Sequence, residues 1–81
     1  MTNIKVLGTG CVSCKRLLAD VKAMVAKNNW QAQVEYVTDL PSIMAYGVME
    51  TPALVVDEKV FMTGYPGAAK VELALRQVVT A

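Results

Sequence analysis

The two cysteines of the chain stand three positions apart in Cys11-Val12-Ser13-Cys14, between a run that reads as a strand, Asn3-Ile4-Lys5-Val6-Leu7, and one that reads as a helix. A thiol at the first turn of a helix meets unpaired backbone N–H groups and the positive end of the helix dipole, and both favour thiolate over thiol. The thiolate attacks in disulfide exchange and also ligates soft metals. The spacing therefore points first to a redox dithiol and leaves a Cu(I) carrier without catalysis as the alternative. A structural staple fits less well, since so short a loop gives only about 2 kcal/mol in the chain-entropy model, against roughly 4.7 kcal/mol for a 100-residue loop. In a reducing cytosol a Cys-x-x-Cys pair is more often catalytic or metal-binding than structural.

The chain has no histidine, which removes Ser-His-Asp and Cys-His catalysis and every intramolecular Cys/His zinc site. Its 81 residues, 54% of them hydrophobic, are enough for one core, and one domain over residues 1–81 is expected. The formal net charge is +1 and the basic residues are spread from Lys5 to Arg76 without a run. Neither nucleic acid nor an anionic membrane is expected as a partner. Residues 1–5 lead into a short apolar strand instead of a long apolar leader, and no stretch approaches the roughly 18 to 20 apolar residues that span a bilayer. The expectation is a soluble, cytoplasmic protein.

The elements that must hold the dithiol follow from periodicity. After the strand at residues 3–7, Gly8-Thr9-Gly10 signals a turn. The helix from about Ser13 to Asn28 brings Cys14, Leu17, Leu18, Val21, Met24 and Val25 onto one face and leaves Lys15, Arg16, Asp20, Lys22 and Lys27 mostly on the other. Asn28-Asn29 suits its end, because asparagine tolerates the left-handed conformation there. Residues 32–38 read as a second strand, parallel to the first across the helical crossover. Asp39 can cap a short helix, roughly Leu40 to Tyr46, with Pro41 in its first turn and Gly47 at its end. Ala53-Leu54-Val55-Val56, a polar turn at Asp57-Glu58-Lys59, and Val60-Phe61-Met62-Thr63 form a hairpin. The tail after Gly64-Tyr65-Pro66-Gly67 is helical to about Val79, burying Val71, Leu75 and Val78. The order β-α-β-α-β-β-α gives an α/β fold with a four-stranded mixed sheet and helices on both faces.

In Cys11-Val12-Ser13-Cys14 at the strand-to-helix junction, Thr51-Pro52 before the third strand, the hairpin, and Gly64 before the last helix, the chain resembles the thioredoxin fold. The likeness is to the small thioredoxin- and glutaredoxin-like proteins without the extra N-terminal strand and helix. It implies that Cys11 is the nucleophile and Cys14 the resolving thiol, and that the Thr51-Pro52 bond is cis. Thr51, Pro52, Gly64 and Tyr65 are then the expected substrate-binding residues. The implied partners are disulfide-containing proteins and a thioredoxin-reductase-type flavoprotein as reductant, with no metal and no cofactor beyond the Cys11–Cys14 disulfide. Thioredoxins have Trp before the first cysteine, Gly-Pro between the two, and a buried carboxylate six positions before the nucleophile. Here Gly10, Val12-Ser13 and Lys5 stand instead, so another group or water must handle the Cys14 proton. The Thr-Val-Pro and Gly-Gly-x-x-Asp stretches of glutaredoxins are incomplete, which leaves glutathione binding unsupported. The loop Gly8-Thr9-Gly10-Cys11 also resembles that of soft-metal chaperones, but those carry Met where Thr9 stands and end on a strand.

Outside the dithiol, Met24, Met44, Met49 and Met62 read as core fillers, with Met49 also a candidate for a substrate groove. Trp30 and Tyr36 are expected at the edges of the helix and strand they adjoin, and Tyr46 and Tyr65 toward the dithiol. Glu50 reads as exposed, with proton transfer to Cys14 as its functional alternative.

Overall fold

Apolar residues in the first strand alternate with others so that both faces of the sheet are covered. In β1 (Thr2–Leu7), Ile4 and Val6 are fully buried against one layer, while Leu7 is buried against the other. The computed structural model describes residues 2–48 and 51–79, and the readings of Met49 and Glu50 lie outside them. The remaining elements are α1 (Val12–Asn28), β2 (Ala32–Val37), α2 (Leu40–Ala45), β3 (Ala53–Val56), β4 (Lys59–Thr63) and α3 (Ala68–Val78). This is the element order expected from the sequence.

The strands form one mixed sheet in the order β2-β1-β3-β4. β1 runs parallel to β2, from Thr2↔Ala32 to Leu7↔Val37, and antiparallel to β3, from Ile4↔Val56 to Leu7↔Ala53. β3 and β4 make the antiparallel hairpin. Its turn is tighter than the three residues read from the sequence. Val56 pairs with Lys59, so only Asp57 and Glu58 lie between the strands, with φ of 51° and 70°. Positive φ at both central residues is the geometry whose twist matches a hairpin. Between Leu54↔Met62 and Val55↔Val60 the register shifts, leaving Phe61 as an extra residue on β4.

The larger core lies between the sheet and the two long helices. Ile4, Val6 and Leu54 meet Leu17, Val21 and Met24 of α1 and Val71 and Leu75 of α3. Trp30, expected at an edge, is buried within this cluster, and Leu18 and Val25 are only partly covered. On the opposite face a smaller cluster joins Leu7, Ala53 and Val55 to Ile43 and Val48, under α2. Val78 is a correction to the expected core: it is 41% exposed, and Val79 is buried in its place. α3 stops at Val78, and the extended backbone of Val79 (φ −94°, ψ 123°) turns its side chain inward where another helical residue would have faced elsewhere.

Helix ends follow local chemistry. Asn29 caps α1 in the left-handed conformation, and Asp39 Oδ2 accepts from the Ser42 N–H at 3.1 Å at the start of α2. No helix among the described residues is long and apolar enough to cross a membrane. Leu75 lies in the larger core and Leu73 on the outside of the same helix, so the two leucines should answer differently to truncation. Leu75→Ala is expected to cost about 2–5 kcal/mol, and Leu73→Ala no more than about 0.5 kcal/mol, in urea unfolding monitored by circular dichroism.

Candidate functional site

α1 begins on a cysteine. Cys11 is the N-cap residue, in extended conformation, and its Sγ accepts from the Cys14 N–H at 3.1 Å, while its carbonyl accepts from the Lys15 N–H at 3.0 Å. Its sulfur thus occupies the place that a serine or aspartate oxygen takes in an ordinary cap. Cys11 and Cys14 form a disulfide, with Cα atoms 5.0 Å apart, and no free cysteine remains.

The two sulfurs have unlike surroundings. Cys11 is exposed, as is its neighbour Val12 at 78%, whereas Cys14 is fully buried. The burial of Cys14 depends on Gly8, the buried residue that follows β1. A Cβ on Gly8 would lie 2.6 Å from both Cβ and Sγ of Cys14, closer than van der Waals contact permits, and 3.6 Å from Tyr36 Cε1. Gly8 N–H donates to the Val37 carbonyl at 3.0 Å, which continues the β1–β2 pairing to this point. In the sequence Gly8 was legible only as a turn residue. Glycine is required here for close approach, and no local pattern signals a contact six residues away across a turn.

Thr51 and Pro52 stand before the paired part of β3, and the Thr51-Pro52 bond is cis, as expected. Both β3 registers end at Ala53, which pairs with Leu7 on one side and Thr63 on the other. Since Gly8 follows Leu7, the Pro52 end of β3 and the Cys14 end of α1 share one edge of the sheet. Pro52 is buried, and its carbonyl accepts from the Gly64 N–H at 2.6 Å. Gly64 has φ of +80°, a conformation that suits glycine, and it ties the end of β4 to Pro52.

The tyrosines expected toward the dithiol point their hydroxyls elsewhere. Tyr65 O–H donates to Asp20 Oδ2 on α1, and this bond to a carboxylate is the main reason its phenol is held above the ordinary range, with burial adding to it. Tyr46 packs on the α2 face, where it meets Lys5. Lys5 Nζ donates to Tyr46 Oη at 3.0 Å and pairs with Glu58 Oε1 at 2.6 Å, while Tyr46 O–H donates to Glu58 Oε2 at 3.2 Å. Lys5, Glu35, Asp39, Tyr46 and Glu58 are among the residues lining a groove of about 540 Å³ on this face, and neither cysteine contributes to it. The residue in the register of the thioredoxin carboxylate is thus committed to a different network.

In that network the Glu58 carboxyl is held below its ordinary range by the bond from Lys5 and then by that from Tyr46, and Lys5 is held above the ordinary amine range by Glu58 and then Tyr46. The Glu58 contribution to stability is complete above its unfolded value, near pH 4.3, and is lost as pH falls through the lower folded value. That of Lys5 is complete below about pH 10.4 and is lost as pH rises through its higher folded value. The melting temperature of Glu58→Gln should therefore lie below that of the parent at neutral pH, and the gap should close below about pH 4. At the dithiol, Gly8→Ala should destabilise the oxidised protein by about 1–3 kcal/mol through overpacking against Cys14, measured by urea unfolding.

A thioredoxin of Methanothermobacter thermautotrophicus is 28% identical to this chain over 64 residues, covering 79% of the chain and 83% of that protein. The crystal structure of glutaredoxin 1 from Francisella tularensis complexed with cacodylate superposes with a TM-score of 0.50 at 13% identity, covering 96% of each chain, a likeness of fold. A family model described as a thioredoxin domain matches residues 2–76. With that match over nearly its whole length and a Cys-x-x-Cys disulfide at the head of α1, the chain belongs to the thioredoxin domain family, whose general chemistry is thiol–disulfide exchange.

Proposed function

We propose that the chain reduces protein disulfides with the Cys11/Cys14 dithiol and is recycled by a thioredoxin-reductase-type flavoprotein in the cytoplasm. The observation that carries this reading is the asymmetry of the pair: an exposed, helix-capping Cys11 beside a fully buried Cys14. In the reduced protein the Cys11 thiolate would keep the N–H of Cys14 as a charge-assisted donor, with the helix N-terminus behind it. Exposure lets it reach a substrate sulfur.

Cys11 Sγ attacks one sulfur of the substrate disulfide, forming a mixed disulfide, and the other substrate sulfur leaves as a thiolate that takes a proton from water. Cys14 gives its proton to water and, as thiolate, then attacks Cys11 Sγ. The remaining substrate sulfur leaves as a thiolate and takes a proton from water, the Cys11–Cys14 bond closes, and two electrons have passed to the substrate. A reductant returns two electrons and restores the dithiol, with no cofactor other than the disulfide itself. The end of sheet pairing at Ala53 supports a role for Thr51 and Pro52 in receiving an extended substrate segment, with Gly64 and Tyr65 beside them.

The test is the iodoacetamide reactivity of Cys11 in the reduced protein as a function of pH, together with reduction of a model protein disulfide. Cys11 should titrate well below the free-thiol value of about 8.5. Cys11→Ser should abolish reduction, and Cys14→Ser should accumulate the mixed disulfide. A Cys11 that titrates like a free thiol, in a protein that reduces no disulfide, would overturn the reading.

A further inference from the structure

Among the described residues, one buried side-chain polar atom has no hydrogen-bond partner, the hydroxyl of Tyr36. Buried hydroxyls are almost always bonded, so an orphan calls for a physical reason. Tyr36 pairs with Val6 in the sheet and packs against the larger core, on the face covered by α1. The point 2.6 Å from Cys14 Sγ and 3.6 Å from Tyr36 Cε1, where a Gly8 Cβ would stand, is bordered by both the sulfur and the hydroxyl-bearing end of the ring. Gly8, by having no side chain, leaves nothing of its own between them.

We infer that Tyr36 donates a hydrogen bond to the Cys14 sulfur when that sulfur is a thiolate and is thereby a further catalytic residue of the dithiol. The inference rests on the oxidoreductase reading above. A disulfide sulfur is a weak acceptor, whereas a thiolate is a strong, charged one. In the oxidised state the hydroxyl is in hydrogen-bonding geometry with no acceptor, either sulfur included, and it gains a charged one when Cys14 becomes a thiolate. A contact made with the thiolate alone eases loss of the Cys14 proton, and it shifts the redox equilibrium toward the reduced form at pH values where Cys14 is ionised. Other groups are less well placed. Lys5 is bound to Glu58 and Tyr46 on the α2 side, Glu35 lines the groove there, and Asp20 accepts from Tyr65.

The electron balance is that of ordinary exchange. A dithiol reductant gives two electrons and becomes a disulfide, and the Cys11–Cys14 bond breaks. Of its two protons one goes to Cys14 and one to water, leaving Cys11 as thiolate. Tyr36 keeps its own proton throughout. It stabilises the Cys14 thiolate when that sulfur leaves during reduction and when it attacks the mixed disulfide.

Tyr36→Phe removes the hydroxyl and keeps the ring. Equilibrated with dithiothreitol at a pH above the Cys14 titration of both proteins, the variant should favour the oxidised form about tenfold more than the parent, a potential about 30 mV more negative. In the Cys11→Ser background, Tyr36→Phe should raise the Cys14 titration, followed by thiolate absorbance, by about one unit, the same tenfold. The oxidised variant should melt no lower than the parent, since it loses only an unpartnered group, whereas a merely structural hydroxyl would lower the melting point and leave the equilibrium unmoved. An equilibrium constant and a Cys14 titration both within twofold of the parent, or shifts in the opposite direction, would overturn the assignment. A parent protein that exchanges with no dithiol would refute the oxidoreductase reading instead, and the Cys14 titration would still decide the role of Tyr36.

Discussion

The close approach of Gly8 to Cys14 is the contact on which the site depends. α1 can press its first turn against the end of β1 only because position 8 has no Cβ, which would meet Cys14 Cβ and Sγ at 2.6 Å. That approach buries one sulfur completely while the other stays at the helix cap in solvent. It also fixes the site relative to the sheet, because the residue before Gly8, Leu7, pairs with Val37 on one side and Ala53 on the other. The cap, the cis Thr51-Pro52 bond and the Pro52–Gly64 hydrogen bond therefore belong to a single edge, held by the central strand.

The two faces of the sheet divide the labour. The larger core, with α1 and α3, supplies most of the buried apolar surface and anchors the dithiol helix along Leu17, Val21 and Met24. The α2 face has a small apolar cluster and, beside it, the Lys5–Tyr46–Glu58 network. A half-buried lysine needs partners, and both of these lie on that face. An uncompensated ammonium directed toward the dithiol would have influenced both sulfurs. Tied to Glu58, Lys5 is instead a link between β1 and the hairpin turn.

Much of this was legible in the sequence because it is local. Alternation in residues 3–7, helical spacing from Cys14 to Val25, Asp39 ahead of Pro41, and Asn29 after the first helix each state their structure within a few residues, and each is found. The Cys-x-x-Cys pair and Thr51-Pro52 were legible as motifs. What was not legible depends on distance in the chain. Gly8 acts through contact with Cys14, Tyr65 through Asp20 on α1, and Tyr46 through Lys5 and Glu58, separations that no spacing rule encodes. Val78 was misread for a subtler reason: helical periodicity places it with Leu75, but the helix ends there and Val79 takes the core position.

The unequal settings of the sulfurs also bear on which proton the reduced protein gives up first. Cys11 has solvent, an N–H donor at 3.1 Å and the helix N-terminus, and the first turn contains no acidic residue to oppose a thiolate. Cys14 is removed from water, and burial disfavours its charged form. Both effects act in the same sense, so charge settles on the sulfur that can reach a partner. In the exchange proposed for this chain, resolution requires the buried sulfur to become a nucleophile briefly, in a site where solvent cannot stabilise the charge. A buried donor without another partner meets that need at no further desolvation cost, which is the role inferred for the Tyr36 hydroxyl, whose ring and the Cys14 sulfur both border the space left by Gly8.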